Sequence, residues 1–317
     1  MKENILYNKR GELTTKQIVM LIILIISFVI ILYFIYLLNF GGTSDKQICK
    51  NSVTLRGNSL IAGQAIPLKC KTSYVCVSMN SGCDSPKMSN PDYVQEVGSK
   101  EDVYEFLAEE MYDCWWMFGE GEIDYLGSGL FPNFYCSICS QLVFDSSVKK
   151  LFPNGEIDKD DFYNNYLTKK IPNKDITYSE YFLSTDNPEN YLKAKYKDEK
   201  TNEEFQAGTW GKINLDDSYM IIMALKSKAG KGWWGLAVGG IGAVLAGTVV
   251  GIIVGPIGWI VLGAIAIGGT VGAGGGAAIV APVIQSKSGD AYIPPSIIEV
   301  NSDEFKSLQC KDVKSLS

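Results

Sequence analysis

Hydrophobic positions run through this chain in three rhythms. Residues 17–40 read QIVMLIILIISFVIILYFIYLLNF, without Asp, Glu, Lys or Arg. Roughly 20 apolar residues, each rising about 1.5 Å, cross a bilayer as a helix, so this run predicts a transmembrane anchor. Residues 232–286 form a second uncharged run, 55 residues long, which holds 16 of the 32 glycines. Within it Gly235, Gly239, Ala243, Gly247, Gly251 and Gly255 recur every four residues. On a helix that spacing makes a smooth stripe against which another helix packs closely. The run is long enough for two crossings. Its predicted arms cover about 233–254 and 257–284, with Gly255-Pro256-Ile257-Gly258 as the turn.

The third rhythm belongs to the remaining residues, which carry all the charge. Ser99-Lys100-Glu101-Asp102 reads as a capping box opening a helix over 100–118. Val103, Phe106, Leu107, Met111, Cys114, Trp115 and Phe118 recur at helical spacing, and Glu101, Glu109 and Glu110 fall opposite them as a solvated face. After a loop over 119–132, residues 134–145 alternate as a strand. That alternation puts Cys136 and Cys139 on opposite faces, which suits two separate bridges better than one mutual bridge. Residues 158–168 predict a helix. Its Asp158-Lys159-Asp160-Asp161 start lacks the glycine and terminal glutamate of a calcium loop and reads instead as an acidic first turn. Residues 186–212 read as a long polar loop. Residues 219–225 and 296–300 read as strands, the second opened by Pro294-Pro295. Sequential strands are usually neighbours, so the apolar run is expected at the tip of a β-hairpin. Residues 41–98 are expected to be short and irregular, with β-like pieces at 52–55 and 74–79.

These rhythms divide the chain into a cytoplasmic N-terminus (1–16), an anchor (17–40), an exported Cys-rich α+β domain (41–231), the inserted Gly-rich apolar helical hairpin (232–286), and a return to the exported domain (287–317). Lys2, Lys9, Arg10 and Lys16, against Glu3 and Glu12, precede the anchor, so the N-terminus is expected on the cytoplasmic side of the cell membrane and the main domain outside it. The anchor lacks a small-residue exit site and reads as retained rather than cleaved. A net charge of −6 and the lack of a long basic stripe argue against nucleic-acid binding.

Eight cysteines lie beyond the anchor: Cys49, Cys70, Cys76, Cys83, Cys114, Cys136, Cys139 and Cys310. An even number in an exported segment predicts a disulfide-stapled ectodomain, although 105 pairings are open. Zinc is the competing reading of Cys136-Ser137-Ile138-Cys139, but no second CxxC stands beside it, and a redox reading lacks the usual preceding tryptophan. The chain has no histidine, which removes His-based catalysis and His-metal sites. No metal or cofactor is expected. Cys310 adds a constraint. If it pairs with another exported cysteine, the second apolar run crosses the membrane an even number of times or not at all. Trp233, Trp234 and Tyr292 then fall near the run's ends as an interfacial aromatic belt, with Lys231 and Lys287 beside them. Those lysines, with Lys226 and Lys228, sit on the outer side against the positive-inside tendency, which points to conditional insertion through anionic headgroups.

Lys9-Arg10-Gly11-Glu12-Leu13-Thr14-Thr15 before a long apolar helix resembles the leader of archaeal type IV pilin-like proteins, with Lys16 where that family carries a glutamate. Together with Asp113-Cys114-Trp115, Tyr135-Cys136-Ser137-Ile138-Cys139 and Thr177-Tyr178-Ser179-Glu180-Tyr181, it resembles a family of archaeal membrane-anchored, Cys-rich exported proteins. The resemblance covers about the first 180 residues. It implies anchoring and export, and brings no activity with it.

Three functions fit these readings. The first is a structural or interaction protein that contacts the lipid bilayer and forms homo- or hetero-oligomers through a glycine zipper, as part of a cell-surface complex. The second is a pore-former or fusogen that inserts the hairpin into a target bilayer. The third is a pilin-like filament subunit. An enzyme is the weakest class, because Glu109, Glu110, Glu120, Glu122 and Asp124 stand beside no nucleophile motif, phosphate loop or metal cluster.

Overall fold

The computed structural model describes residues 15–37, 41–58, 66–126, 135–183, 195–197, 204–206, 211–226, 249–255, 258–263, 265–267, 279–281, 284–285, 290–302, 305–306, 308 and 310–312. The chain divides into two compact units, Met1–Asp45 and Lys46–Ser317.

The first unit holds helix α1 (Thr15–Leu37). Its window Lys16–Tyr33 has a mean hydropathy of 2.6 and is wholly exposed within the protein. Such a surface is long and apolar enough to cross a membrane. Within it the Ser27 hydroxyl donates to the Leu24 carbonyl at 2.9 Å, so it adds no unsatisfied polar group.

Helix α2 (Gly41–Asn58) replaces the irregular, β-like start expected at 41–58. Cys49, Ser52, Val53 and Arg56 recur at helical spacing and are buried, and that burial overrides the β-propensity of Val53-Thr54-Leu55. The Arg56 guanidinium donates to the carbonyls of Tyr125 and Ile66, both at 2.8 Å. Helix α3 (Lys100–Met117) forms as its sequence predicts. The Ser99 hydroxyl accepts from the Asp102 amide, and the Asp102 carboxylate accepts from the Ser99 amide. The predicted apolar face is buried. Glu110, expected on the solvated face, is only 5% exposed, because Lys46 of α2 donates to it at 2.8 Å and the Tyr93 hydroxyl at 3.0 Å. Two short helices follow, α4 (Lys159–Asp161), continued by a wider turn at Phe162–Tyr166, and α5 (Tyr178–Leu183). Asp158 caps α4 by accepting from the amides of Asp160 and Asp161, so the acidic triplet is a helix start.

The strands, in chain order, are β1 (Ser73–Ser78), β2 (Tyr93–Glu96), β3 (Tyr135–Phe144), β4 (Glu156–Asp158), β5 (Lys195–Lys197), β6 (Glu204–Gln206), β7 (Lys212–Asn214), β8 (Tyr219–Lys226), β9 (Val249–Gly255), β10 (Gly258–Gly263), β11 (Ile265–Ile267), β12 (Ile279–Ala281), β13 (Ile284–Gln285), β14 (Ala291–Glu299) and β15 (Lys311–Asp312). Seven of them form one sheet in the order β13-β14-β8-β3-β1-β2, with β15 beside β3. A small two-stranded piece at β5–β6 occupies part of the stretch predicted as a polar loop, and β7, which starts at its end, pairs with β4. Helix α3 packs on β3, β8 and β14, and α5 packs on α3 and β14. Alternation along β1 sends Val75 and Val77 into this main core, whereas Cys76 joins Met88 and Val143 in a small cluster of its own. On β14 the register shifts between Ile293 and Ser296, so Pro294-Pro295 sit in an irregularity inside the strand instead of opening it. Just beyond, the Ile297 amide donates to the Tyr163 hydroxyl, and the buried Lys159 ammonium donates to the Ile297 carbonyl, each at 3.1 Å.

Four disulfides staple this α+β unit: Cys49–Cys70, Cys76–Cys83, Cys114–Cys139 and Cys136–Cys310. The register of β3 against β8 shifts between Ile138 and Ser140, so Cys139 is the extra residue of a bulge and the simple two-face alternation predicted for 134–145 breaks there. The two cysteines of the CxxC belong to different bridges.

The helical hairpin expected over 232–286 is not what its described residues form. Strands β9 and β10 pair antiparallel, with Gly258 opposite Gly255 and Leu262 opposite Gly251. Strand β11 pairs with β12. Val249, Val250, Ile252, Ile253, Val254, Ile260 and Val261 are β-branched. They favour strands, while each interior glycine costs a helix about 1 kcal/mol relative to alanine. The pairing of Gly255 with Gly258 agrees with the place of the predicted Gly-Pro-Ile-Gly turn.

Candidate functional site at the root of the uncharged insertion

The unusual chemistry of this chain is concentrated between β8 and β14. These strands pair antiparallel through Tyr219↔Glu299, Ile221↔Ile297 and Leu225↔Tyr292, and end at Lys226↔Ala291. Between these two strands in sequence, β13 (Ile284–Gln285), the end of the uncharged run, pairs with the other side of β14 as the edge of the same sheet. On the other side of β8, Leu225 pairs with Tyr135 of β3. Tyr135 also pairs with Lys311 of β15, and Cys136 with Asp312. The Cys136–Cys310 bridge closes this corner, with a Cα–Cα distance of 5.4 Å. The C-terminal strand and both ends of the insertion thus belong to one covalently closed sheet.

The root carries buried charge. Lys226 is 7% exposed and Asp290 is 1% exposed. Burial brings the Lys226 ammonium down to about 8. Tyr292, expected at a membrane interface, is fully buried in the domain core instead. Its ring meets Trp115 of α3 edge-on, with centroids 6.1 Å apart. Its neighbours Ala291 and Ile293, which point to the opposite face, are buried too, so β14 is covered on both faces at this end. Trp115 Nε1 and the Tyr292 hydroxyl find no hydrogen-bond partner among the described residues. Beneath them the chain turns through Gly119, Glu120 and Gly121, at φ of 83°, 59° and 75°. A Cβ on Gly121 would stand 3.0 Å from the Trp115 ring, so this turn needs glycine for closeness as well as for conformation.

The other predicted contact residues are distributed as follows. Gly251 and Gly255 lie in β9, where a four-residue spacing has no helical meaning. Gly235, Gly239, Ala243, Gly247, Trp233, Trp234, Lys231 and Lys287 lie outside the described residues. All eight predicted cysteines are in bridges.

Sequence reading missed the charged and aromatic web between α2, α3 and α5. Lys46 bridges Glu110 at 2.8 Å and Asp113 at 2.6 Å. Burial alone would lower its ammonium, but the two carboxylates outweigh that and hold it above its ordinary range. The i, i+3 spacing of Glu110 and Asp113 was the available signal, but its partner lies 64 residues earlier. A cavity of about 660 Å³ lies beside α4, lined by Glu156, Asp158, Asp160 and Asp161 among others. Its carboxylates already accept from this chain: Asp158 from the helix amides, Asp161 from the Tyr104 hydroxyl and the Asn165 amide, Glu156 from Lys212. Among the described residues, no three His, Cys, Asp or Glu side chains are arranged to hold a metal ion.

The apolar helix and the disulfides are those of a membrane-anchored or exported protein. No protein-family model, curated protein or solved structure matches the chain.

Proposed function

We propose that this chain is a membrane-anchored extracytoplasmic interaction protein. Its disulfide-stapled domain presents the uncharged, Gly-rich insertion to a bilayer and to other copies or partner subunits of a cell-surface complex. The observation that carries this reading is the pairing of Lys226 with Ala291 under the Cys136–Cys310 bridge. It brings β14 back beside β8, and of the uncharged run only the two-residue β13 joins this sheet among the described residues, so the rest of the run is open to serve an external contact. It also supports an even number of crossings, with the C-terminus on the side of the main domain. Anionic headgroups are the natural first contact of the lysines around the run.

A second reading, a pore-former or fusogen, draws on the antiparallel pairing of β9 with β10. A two-stranded hairpin in hydrocarbon leaves two unpaired edges, and lipid offers them no hydrogen bonds. Such a hairpin enters a membrane only by closing with hairpins from other copies. Both readings therefore require assembly, and leakage separates them. The full chain is reconstituted into dye-loaded phosphatidylcholine and phosphatidylglycerol vesicles and cross-linked in parallel. Cross-linked oligomers without dye release support the interaction protein, and oligomers with release support the pore. A chain that stays monomeric in every detergent and vesicle contradicts both.

A further inference from the structure

A second cluster lies beside the glycine turn, where α2, α3 and the approach to α5 converge. The Lys50 ammonium of α2 stands 3.9 Å from the centre of the Trp116 ring and 3.8 Å from the Glu120 carboxylate. That distance is too long for a hydrogen bond. Among the described residues, Lys50 has no closer acceptor. Its three donors are therefore open, although its side chain is only 26% exposed. Lys174 donates to the Tyr112 hydroxyl at 2.6 Å and lies 5.0 Å from the centre of the Tyr181 ring. Tyr112 and Tyr181 stack at 4.8 Å, and the Tyr181 hydroxyl donates to Glu120 at 2.9 Å. Tyr112, Trp116 and Tyr181 are all half-buried.

Two features distinguish this cluster from an ordinary surface network. The first is its charge. Burial disfavours the protonated form of Lys50; Glu120, the one carboxylate among the described residues that bears on it, opposes this, and Lys174 is close enough to add to it. The second is the backbone under Glu120. This residue holds a left-handed conformation that a side chain adopts only where the surroundings impose it. The turn sets its carboxylate between Lys50 and Tyr181, as an internal counter-anion with a weak hold on Lys50.

We propose that Lys50 and Lys174, set against the rings of Tyr112, Trp116 and Tyr181, bind a phosphate-type oxyanion, with the Glu120 carboxylate as the internal group that the ligand displaces. Lysine holds phosphate as a point charge with several donors, and partial enclosure by rings strengthens the attraction over that in open water. A lipid headgroup and a soluble phosphate ester share this chemistry. Because the cluster shares no residue with the insertion, the proposal stands independently of the insertion's role.

The test uses the full chain in phosphatidylcholine nanodiscs, titrated with inorganic phosphate and with glycerol phosphate by calorimetry. A second arm measures recruitment of phosphatidylglycerol from mixed-lipid nanodiscs. Saturable binding in the first arm identifies a soluble source, and enrichment confined to the second identifies a headgroup. The K50Q/K174Q double variant is expected to lose at least about tenfold in affinity, and Glu120→Gln to gain several-fold, because it removes the competing charge. Near-ultraviolet circular dichroism and the four disulfides establish that each variant is folded. The proposal is overturned if neither arm saturates, if K50Q/K174Q binds as the parent does, or if Glu120→Gln weakens binding.

Discussion

Lys226 and Ala291 are partners at the end of one antiparallel ladder, although residues 227–290 lie between them. Everything specific to the insertion follows from that pairing. Of the residues between Lys226 and Ala291, the described strand β13 alone joins this sheet, as its edge beside β14. A chain that spends so little of its least polar stretch on its own sheet directs the rest at something else.

The four bridges are expected to contribute unequally. In chain-entropy terms, closing a loop of 174 residues stabilises by up to about 5 kcal/mol, and closing one of 7 by about 2. Replacing Cys136 and Cys310 by alanine should therefore lower the denaturant midpoint roughly twice as far as replacing Cys76 and Cys83. Equal losses from the two pairs would show that the C-terminal strand is held by packing alone.

The glycine turn gives a sharper contrast. Gly121→Ala puts a methyl group 3.0 Å from the Trp115 ring at a φ of 75°. About 1–3 kcal/mol of destabilisation is expected. Gly82→Ala meets nothing within 4 Å and has no positive φ, so it should be nearly neutral. Chemical denaturation of the two variants side by side decides it, and a neutral Gly121→Ala would refute the close approach.

Alkaline pH should unfold the domain abruptly. Burial raises the phenols of Tyr93, Tyr104, Tyr178 and Tyr181, and the carboxylates Glu110, Asp161, Glu109 and Glu120 that accept from them raise them further. Burial, with Glu105 nearby, pushes Tyr166 up to about 12. These groups keep their protons in the native state after the unfolded chain has lost its own at about pH 10. Their stabilisation is present below that pH and is lost as pH rises towards the native values. The Lys46 ammonium, also raised, acts in the same sense from about 10.5 upward. Tyrosinate absorbance and far-ultraviolet circular dichroism should change together in one step. A gradual phenol titration with the fold intact would contradict the buried hydroxyl–carboxylate pairs.

Local signals carried much of the fold. The capping box at Ser99 and Asp102 and the apolar spacing from Val103 to Phe118 specify α3 without outside help. Strands at 73–78, 135–144 and 219–226 are equally plain from their apolar content. What stayed hidden depends on distant partners. Helix α2 forms because Cys49, Val53 and Arg56 find a core elsewhere, and its own residues read as β. Glu110 is buried by a lysine and a tyrosine from other elements, so helical spacing alone sent it to solvent. Tyr292 sits close in sequence to an apolar run and deep in a core, and only the Leu225↔Tyr292 pairing says which governs. At Gly251 and Gly255 the helix stripe misled for the opposite reason. Glycine at four-residue spacing has meaning on a helix, and the β-branched residues between those glycines favour the strands that form.

The most direct test of the central claim is removal of the insertion. In the full chain, residues 232–281 are replaced by a short Gly-Ser linker, which keeps Ile284–Gln285 as the strand beside β14. The deletion is expected to form all four disulfides and to melt within about 4 °C of the parent, the shift expected for roughly 1 kcal/mol. It is also expected to lose the cross-linked oligomers that the parent forms in vesicles. A deletion that fails to form the Cys136–Cys310 bridge, or that folds and still assembles as the parent does, would contradict the account.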